Sequence, residues 1–558
     1  MIKPRTLLAI LLVCHAVLLA WSAYRHSPTA DEWGHLPAGL IHWREARFDA
    51  YRVNPHLVRM LGAAPLVVCY PELEVFAPPV SQPLDRPEFL AGLDFYLRYG
   101  DACFWYFTVA RWACIPFSLL GVYLCYRWAM ELYGPTAGLV AAALWSFSPS
   151  VLAYGQLIVP DVGAASLGLA ANYVFWRWLR RPSDASSMLA GTVLATAILA
   201  KATWIVLLVL WPVVWLVVRL RTRKAGLSVF RLVAMLLIAV YWLNAAYLFQ
   251  GTFSRLGDYE FASRVLSGKT DQDPQDSAGN RFRQTPLAAI PVPLPADFVL
   301  GIDRQKVDFE RGMPSYLRGE WRRGGWWYYY LYAMAIKEPL GTWILFLWAG
   351  AIGVRSWMRG QSKPWDEAWL LLPAVVVLTF VSSQTGFNHH LRYVLPAFPY
   401  LYIFAARLFQ QGSVPVRCAP IRWGLLVWAV ASSLWVYPHS LSYFNEAVGG
   451  PMKGHLHLHN SNTDWGQDLI FARQWLERHP EIRVDGAAIG LTAPLRVRGE
   501  IIPSAPQQPT PGYYVVSVNA MCDYGDPYGY FRDLEPAAMI TYAFRLYRID
   551  EEPTDEPP

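Results

Sequence analysis

The sequence predicts a mainly helical, polytopic membrane bundle of about eleven transmembrane helices, with a small extracytoplasmic α/β domain at its C-terminal end. Three observations predict it. Of the 558 residues, 54% are hydrophobic and only 16% are charged, whereas a soluble protein is usually about one-quarter charged. Apolar runs approaching the roughly 20 residues that a bilayer requires recur along the chain. From about residue 440 these runs stop, and a helical pattern and strand-like segments replace them.

The composition excludes several classes. The net charge of +6 is not a nucleic-acid signal, because the basic residues sit in short clusters between apolar runs. Seven cysteines, with Cys14, Cys114 and Cys125 inside apolar runs and no CxxC pair, give no disulfide framework and no zinc pattern. The 26 Trp and 31 Tyr suit the membrane–water interface, where an apolar ring keeps its polar tip wet.

Taken in order, the first element is "MIKPRTLLAILLVCHAVLLAWSA", a basic start followed by an apolar core. It reads as an uncleaved first span rather than a signal peptide, because many further spans follow. Spans are expected at 5–24, 104–126, 136–153, 161–179, 187–200, 202–219, 228–249, 339–355, 367–382, 393–410 and 421–437. The pair 187–200 and 202–219 is separated only by "AKAT". The stretch 56–70 is apolar but short, so it is expected to be re-entrant or interfacial.

Basic residues orient the bundle. With Lys3 and Arg5 inside, the alternate loops hold Arg127; Arg177, Arg180 and Arg181; Arg219, Arg221, Arg223 and Lys224; Arg355, Arg359 and Lys363; and Arg407, Arg417 and Arg422. All fall on one side, as the positive-inside rule asks. The expectation is a multi-pass cell-membrane protein, inner or plasma membrane, with a cytoplasmic N-terminus. Residues 25–103, 250–338 and 438–558 are then extracytoplasmic.

Three regions follow: a transmembrane domain over 1–438, an α/β domain over 439–549 and a disordered tail over 550–558. "SNTDWGQDLIFARQWLERHP" reads as an amphipathic helix with capping residues at its start, ending at Pro480. "GYYVVSV" and "MITYAFRLYRI" read as strands.

Ionisable residues at the outer boundaries are the candidates for chemistry. Asp31 and Glu32 lie just beyond the first span, with His35 one turn on. Adjacent helical residues do not share a face, so one carboxylate is expected to point into the bundle and the other to hold the loop or a cation. Asp161 opens span four, where it serves equally well as a helix N-cap. Lys201 stands between two apolar runs; an ionisable group there is costly and usually has a partner or a function, the bland alternative being snorkelling to the surface. "TGFNHHLRYVLPAFPY" gathers His389, His390, Arg392 and Tyr393 at the mouth of span ten. Adjacent histidines are poorly placed to chelate one ion, whereas a guanidinium grips two phosphate oxygens. In "HLHLH", strand alternation would put His455, His457 and His459 on one face, a metal-binding option with no further ligand nearby in sequence.

Two outer acids, a lysine and an arginine suit one task. An acid deprotonates an acceptor hydroxyl, and the cations hold the phosphate of a lipid-linked donor as it leaves. No phosphate-cradling glycine loop is present, so no nucleotide is expected.

The sequence resembles the membrane glycosyltransferases of the GT-C class, among them the protein O-mannosyltransferases and the lipid A aminoarabinose transferases. "DEWGH" resembles their first-loop acidic motif, whose Asp is the family's proposed base. "NPHL" (Asn54 to Leu57) resembles their Asn/His-Pro-Pro-Leu element, with His56 in place of the second Pro. "VPDVGAAS" resembles their Thr-Asp-x-Pro-Leu turn without the Thr and later Pro. "LAKATWIVLL" resembles the segment whose Lys contacts the lipid phosphate, and "LRYVLPAFPYLYIFAARL" their late Arg-Tyr-x-Leu-Pro element. "SYLRGEWRRGGWWYYYLYAMAIKEPL" and "SNTDWGQDL" resemble a bacterial branch with no assigned acceptor.

The resemblance implies the GT-C fold and an inverting transfer of a sugar from a polyprenyl-phosphate carrier to a hydroxyl of a protein, lipid or envelope glycan. Asp31 would be the base, with Glu32 and Asp161 positioning it, the acceptor or a cation. Lys201, Arg392 and Tyr393 would bind the donor phosphate, and His35, Asn54 and His56 the substrate. A divalent metal ion is left open, since some relatives use one. Two rivals stand beside this reading: a polytopic transporter, which would carry charges in mid-span and show related halves, and a non-catalytic protein that binds lipid-linked sugar or scaffolds envelope assembly.

Overall fold

Each expected span coincides with helix in the computed structural model, which describes residues 3–82, 84–222, 226–270, 278–360, 364–490 and 493–550. Helix α1 (Pro4–Arg25) starts on a proline, whose missing N–H is tolerated in a first turn. The loop that follows folds into α2 (Glu32–Glu45), α3 (Leu57–Cys69) and α4 (Pro87–Tyr99). The central body comprises α5 (Cys103–Tyr133), α6 (Pro135–Ser146), α7 (Pro149–Tyr154), α8 (Pro160–Arg180), α9 (Asp184–Ala200), α10 (Leu207–Thr222) and α11 (Val229–Ala246). The long loop after α11 carries α12 (Arg264–Ser267) and α13 (Ala296–Glu310). Then come α14 (Tyr329–Lys337), α15 (Leu340–Met358), α16 (Pro364–Ser383), α17 (Phe398–Ala405) and α18 (Ala419–Val436).

Among the described residues, six helical stretches are long and apolar enough to cross a membrane: Pro4–Arg25, Pro87–Tyr133, Ala202–Thr222, Val229–Ala246, Trp365–Ser383 and Val416–Val436. The remaining expected spans are helical but shorter or interrupted. The run 136–153 divides at Ser148, whose side chain accepts from the Val151 N–H and starts α7. The run 393–410 opens as a 3-10 turn, Leu391–Ala397, before α17. Helix α3 has 13 residues, about 20 Å of rise, short of the roughly 30 Å hydrocarbon core.

Packing brings the site segments together. Helix α5 packs on α6 and α8, and α9 lies against α8 and α11. Chain direction breaks after α9 at Lys201, which is extended (φ −155°, ψ 129°). The turn that follows is locked onto α8 by Trp204, whose indole N–H donates to the Ala164 carbonyl at 2.7 Å. That contact requires Gly168, where a Cβ would sit 2.1 Å from the indole ring.

Beyond α18 the chain forms a four-stranded sheet. Gly512–Ser517 is central, parallel to Gly486–Ala488 and antiparallel to Phe544–Ile549, which pairs in turn with Ala538–Met539. "MITYAFRLYRI" is therefore a hairpin, not one strand, because Ile540–Ala543 turn between two paired segments. The amphipathic helix, α19 (Leu469–Arg478), begins eight residues after Ser461. The intervening residues are held by tertiary hydrogen bonds: Ser27 N–H donates to the Gln467 carbonyl, and Ala30 N–H to the Trp465 carbonyl, each at 3.0 Å. Residues 551–558, for which disorder was expected, and the basic residues Arg223, Lys224 and Lys363 lie outside the described residues.

Candidate active site

The two adjacent acids after α1 diverge. Glu32 is fully buried and meets Arg111 of α5 in a bidentate pair, Nε to Oε1 at 2.8 Å and Nη2 to Oε2 at 2.5 Å. Its oxygens also accept from the Thr29 N–H and hydroxyl, each at 2.9 Å, and from the Ile158 N–H at 3.0 Å. Arg111 gives its other donors to the carbonyls of Ala23, His26 and Ser27. Burial alone would raise the Glu32 carboxyl, but Arg111 and these N–H donors hold it below the usual carboxylate range. Glu32 thus fastens the first loop to α5 and to the turn before α8, with no face left for a substrate.

Asp31 points the other way. Its Oδ2 accepts from Arg392 Nη2 at 2.6 Å. Arg392 Nη1 lies 3.4 Å from Asp161 Oδ2, and Asp161 Oδ1 accepts from Lys201 Nζ at 2.7 Å. Four charges therefore alternate in a line: Asp31, Arg392, Asp161, Lys201. Side-chain exposure is 27% at Asp31 against 5% at Arg392, 1% at Asp161 and 4% at Lys201. Asp31 is the accessible end. The guanidinium also lies over the Trp465 ring, 4.2 Å from its centroid, and its buried Nε has no hydrogen-bond partner among the described residues.

Local structure explains each placement. Asp161 follows Pro160 in the first turn of α8, but the N-cap is Val159 and no side chain caps it. The carboxylate serves Lys201 and Arg392 instead, at the end of a helix whose dipole favours negative charge. Lys201 takes the break between helices, and Arg392 the 3-10 turn before α17. Neither cation snorkels; both turn inward to a carboxylate.

The other candidates lie around this line or apart from it. Tyr393 places its ring 4.9 Å from Lys201 Nζ and edge-on to His390 at 5.2 Å. His35 is buried and stacked on Tyr51 at 4.7 Å. Burial first, then the charges of Arg59 and Arg392, push its imidazole well below its ordinary value, so it is neutral. Asn54 and His56 belong to a neighbouring cluster rather than to the charged line. The Asn54 carbonyl accepts from Arg59 Nη2, and the His56 ring packs on Tyr247 and Phe48 at 4.4 and 4.7 Å.

Neither of two candidate metal sites fits this geometry. Asp31 and Asp161 would be the natural pair for a divalent ion, but Arg392 lies between them and bonds to both. The "HLHLH" stretch is a 3-10 turn running into coil, not a strand. His455 lies beside Arg545, His457 Nδ1 pairs with the Tyr332 hydroxyl at 2.6 Å, and His459 Nε2 donates to the Asn519 carbonyl at 3.0 Å, so the three rings diverge.

The tertiary structure adds residues that sequence reading passed over. Trp465 packs against Arg392, and Ser461 binds His390 Nδ1 through its hydroxyl at 2.7 Å. The only signal for them was the "SNTDWGQDL" stretch itself. A cleft of about 720 Å³ opens beside this segment, lined by Asp31, Trp33 and Tyr96 from the first loop and by Asp464, Trp465 and Asn519. Asp31 is thus shared between the charged line and the cleft.

Residues 106–242 match the family model described as dolichyl-phosphate-mannose-protein mannosyltransferase. The match includes Arg111, Asp161 and Lys201, and neither Asp31 nor Arg392. No curated protein matches the sequence. Among solved structures, the chain is similar to ArnT from Cupriavidus metallidurans in the apo state, with 14% identity over 98% of each chain and a TM-score of 0.44. It is also similar to ArnT from the same organism bound to undecaprenyl phosphate, with 13% identity over 96% of this chain and 97% of that chain and a TM-score of 0.46.

Proposed function

We propose that the chain is an inverting glycosyltransferase of the GT-C class that moves a sugar from a polyprenyl-phosphate carrier to a hydroxyl acceptor at the outer face of the membrane. The observation that carries this reading is the position of Asp31. It is the exposed end of an otherwise buried line of charges, and it faces the cleft. The similarity of residues 106–242 to dolichyl-phosphate-mannose-protein mannosyltransferases supports a lipid-phosphate sugar as donor.

In this mechanism the acceptor hydroxyl enters from the cleft and gives its proton to Asp31 as its oxygen attacks the anomeric carbon. The bond from that carbon to the phosphate oxygen breaks in the same displacement, so the anomeric configuration inverts. The departing phosphate gains negative charge. Arg392, with its unpartnered Nε, and Lys201 are the donors that receive it. Asp161 holds those two cations together before the donor arrives. Tyr393 and Trp465 wall the cations with aromatic faces, which limits their hydration. Glu32 is a positioning residue for the loop that carries Asp31. His35 is proposed to support the same loop from Tyr51, whereas Asn54 and His56 would act only through the Arg59 cluster. No step passes through a metal ion, because Arg392 already bridges the two carboxylates.

The same reading assigns a cytoplasmic N-terminus, an extracytoplasmic domain from about residue 439, and an acceptor that is a protein, a lipid or an envelope glycan. The direct test is release of free polyprenyl phosphate from a lipid-linked sugar by the purified protein, dependent on a hydroxyl acceptor. A transporter or a non-catalytic binder would leave the donor's glycosidic bond intact.

A further inference from the structure

Three distant parts of the chain converge behind the first loop. Helix α1 ends at His26, the chain leaving α18 passes His439, and the segment carrying Trp465 ends at Asp468. Asp468 is fully buried. Each of its oxygens lies 3.0 Å from His439 Nδ1, and Oδ1 lies 3.6 Å from His26 Nε2. The three ligand atoms all fall within 4.8 Å of one another.

His26 provides the independent observation. It is 3% exposed. Its Nδ1 lies 3.2 Å from Gln156 Oε1, a carbonyl oxygen that only accepts, so Nδ1 carries the ring proton. Nε2 is then a bare lone pair. It is buried, has no hydrogen-bond partner among the described residues, and faces a carboxylate oxygen that is also an acceptor. Two acceptors aimed at each other with no proton between them repel, and a buried unsatisfied acceptor is costly. A cation between them removes both penalties.

We propose that His26 Nε2, His439 Nδ1 and Asp468 form a binding site for a divalent transition metal, with Zn²⁺ as the ion that suits them best. Two imidazoles and one carboxylate are borderline ligands of the kind zinc takes, and three protein ligands leave a fourth position for water. With metal–ligand distances of about 2.0–2.2 Å, tetrahedral geometry places ligand atoms roughly 3.3–3.6 Å apart. The two Asp468 separations, 3.0 and 3.6 Å, are close to that, and the two imidazole nitrogens lie within 4.8 Å of each other, a gap that a small ring shift closes. Gln156 is the orienting partner that fixes the His26 tautomer, the usual outer-shell arrangement for a ligating imidazole. His439 Nδ1 must give up the proton it now directs at Asp468.

Three protein ligands leave the ion an open position, but the site's place in the fold gives it a tying role. Asp468 lies three residues after Trp465, and Leu469 N–H donates to the Ser27 hydroxyl at 2.9 Å. A metal here would tie the ends of α1 and α18 to the segment that presses Trp465 against Arg392.

The test uses untagged full-length protein in detergent, stripped with a chelator, reloaded with ZnCl₂, desalted and analysed for metal by mass spectrometry. About one zinc per chain is expected for the wild type, with His26→Gln and Asp468→Asn each losing most of it. Zinc-edge X-ray absorption of the wild type, which does not depend on how the variants fold, is expected to show two imidazole ligands. Three outcomes overturn the proposal: no zinc retained by the wild type, equal retention in the variants, or a spectrum without imidazole. The first would mean that the Gln156 amide is reversed and the cluster is a plain His–Asp–His hydrogen-bond set. Because the readout is metal content, the result stands apart from whether the chain transfers sugar.

Discussion

Arg392 and Asp31, 361 positions apart in the chain, meet at 2.6 Å, and the same guanidinium reaches Asp161 at 3.4 Å. One planar cation therefore links the residue proposed to take the acceptor's proton to the acid that holds the second cation, Lys201. A phosphate arriving at Arg392 must compete with Asp31, which couples donor binding to release of the base.

Asp31→Asn is expected to lower turnover by about 10²–10⁴, the usual worth of a positioned general base. Donor KM should stay level or fall, because the amide no longer competes with phosphate for Arg392. Polyprenyl-phosphate release measured against donor concentration separates the two constants. Turnover within a few-fold of wild type would remove Asp31 from the role of base.

Arg392→Lys keeps the charge but loses the fork that spans two carboxylates. The donor KM is expected to rise roughly tenfold to a hundredfold, the worth of one charge-assisted hydrogen bond. Lys201→Ala should act in the same direction. Unchanged donor KM in both variants would show that the phosphate sits elsewhere.

Asp161→Asn leaves Lys201 buried without its partner. Breaking a buried pair costs about 3–5 kcal/mol, so folded yield and Tm should fall. Adding Lys201→Met to that variant should restore Tm without restoring turnover. If the double variant recovered activity as well, the pair would be structural only.

Glu32→Gln tests the opposite assignment. Glu32 and Arg111 are both fully buried, so a stability loss of about 3–5 kcal/mol is expected. The kcat of the molecules that remain folded should stay near wild type. A kcat collapse in protein of normal stability would place Glu32 in the reaction.

Asp464 gives a pH signature. Burial raises its carboxyl from 3.8 to about 6, with Asp468 adding to the rise and the Ser517 hydroxyl and the Gly466 and Trp465 N–H groups opposing it. A folded-state value above the unfolded one means that the folded chain binds the proton more tightly. Its ionisation therefore penalises folding fully above about pH 6 and not at all below 3.8. The Tm of wild type relative to Asp464→Asn should fall as pH rises from about 4 to about 6, by no more than about 1.4 kcal/mol per pH unit in free energy. A flat difference across that window would refute the shift.

The sequence by itself determined where the helices lie and which ionisable residues stand at their ends. Apolar length and period are local properties, so the helices could be read directly. Asp161, Lys201 and Arg392 stood out because an ionisable group beside apolar runs is costly and demands a partner. Their partners, however, lie 40 and 231 positions apart, and only packing of α8 against the Lys201 turn and the Arg392 turn chose them. The Asp31–Glu32 pair shows the same division. Helical geometry requires the two to diverge, but which one turns inward depends on where Arg111 lands, 79 positions away on α5. Local pattern misled where tertiary contacts overrode it. "HLHLH" alternates like a strand, yet its histidines bind Tyr332, Asn519 and the Arg545 neighbourhood, so the backbone coils to serve them. The helix expected from Ser461 starts only at Leu469, because Gln467 and Trp465 give their carbonyls to the first loop. Periodicity reports which face of a segment is buried; what that face meets is decided by the three-dimensional arrangement of segments far apart in the chain.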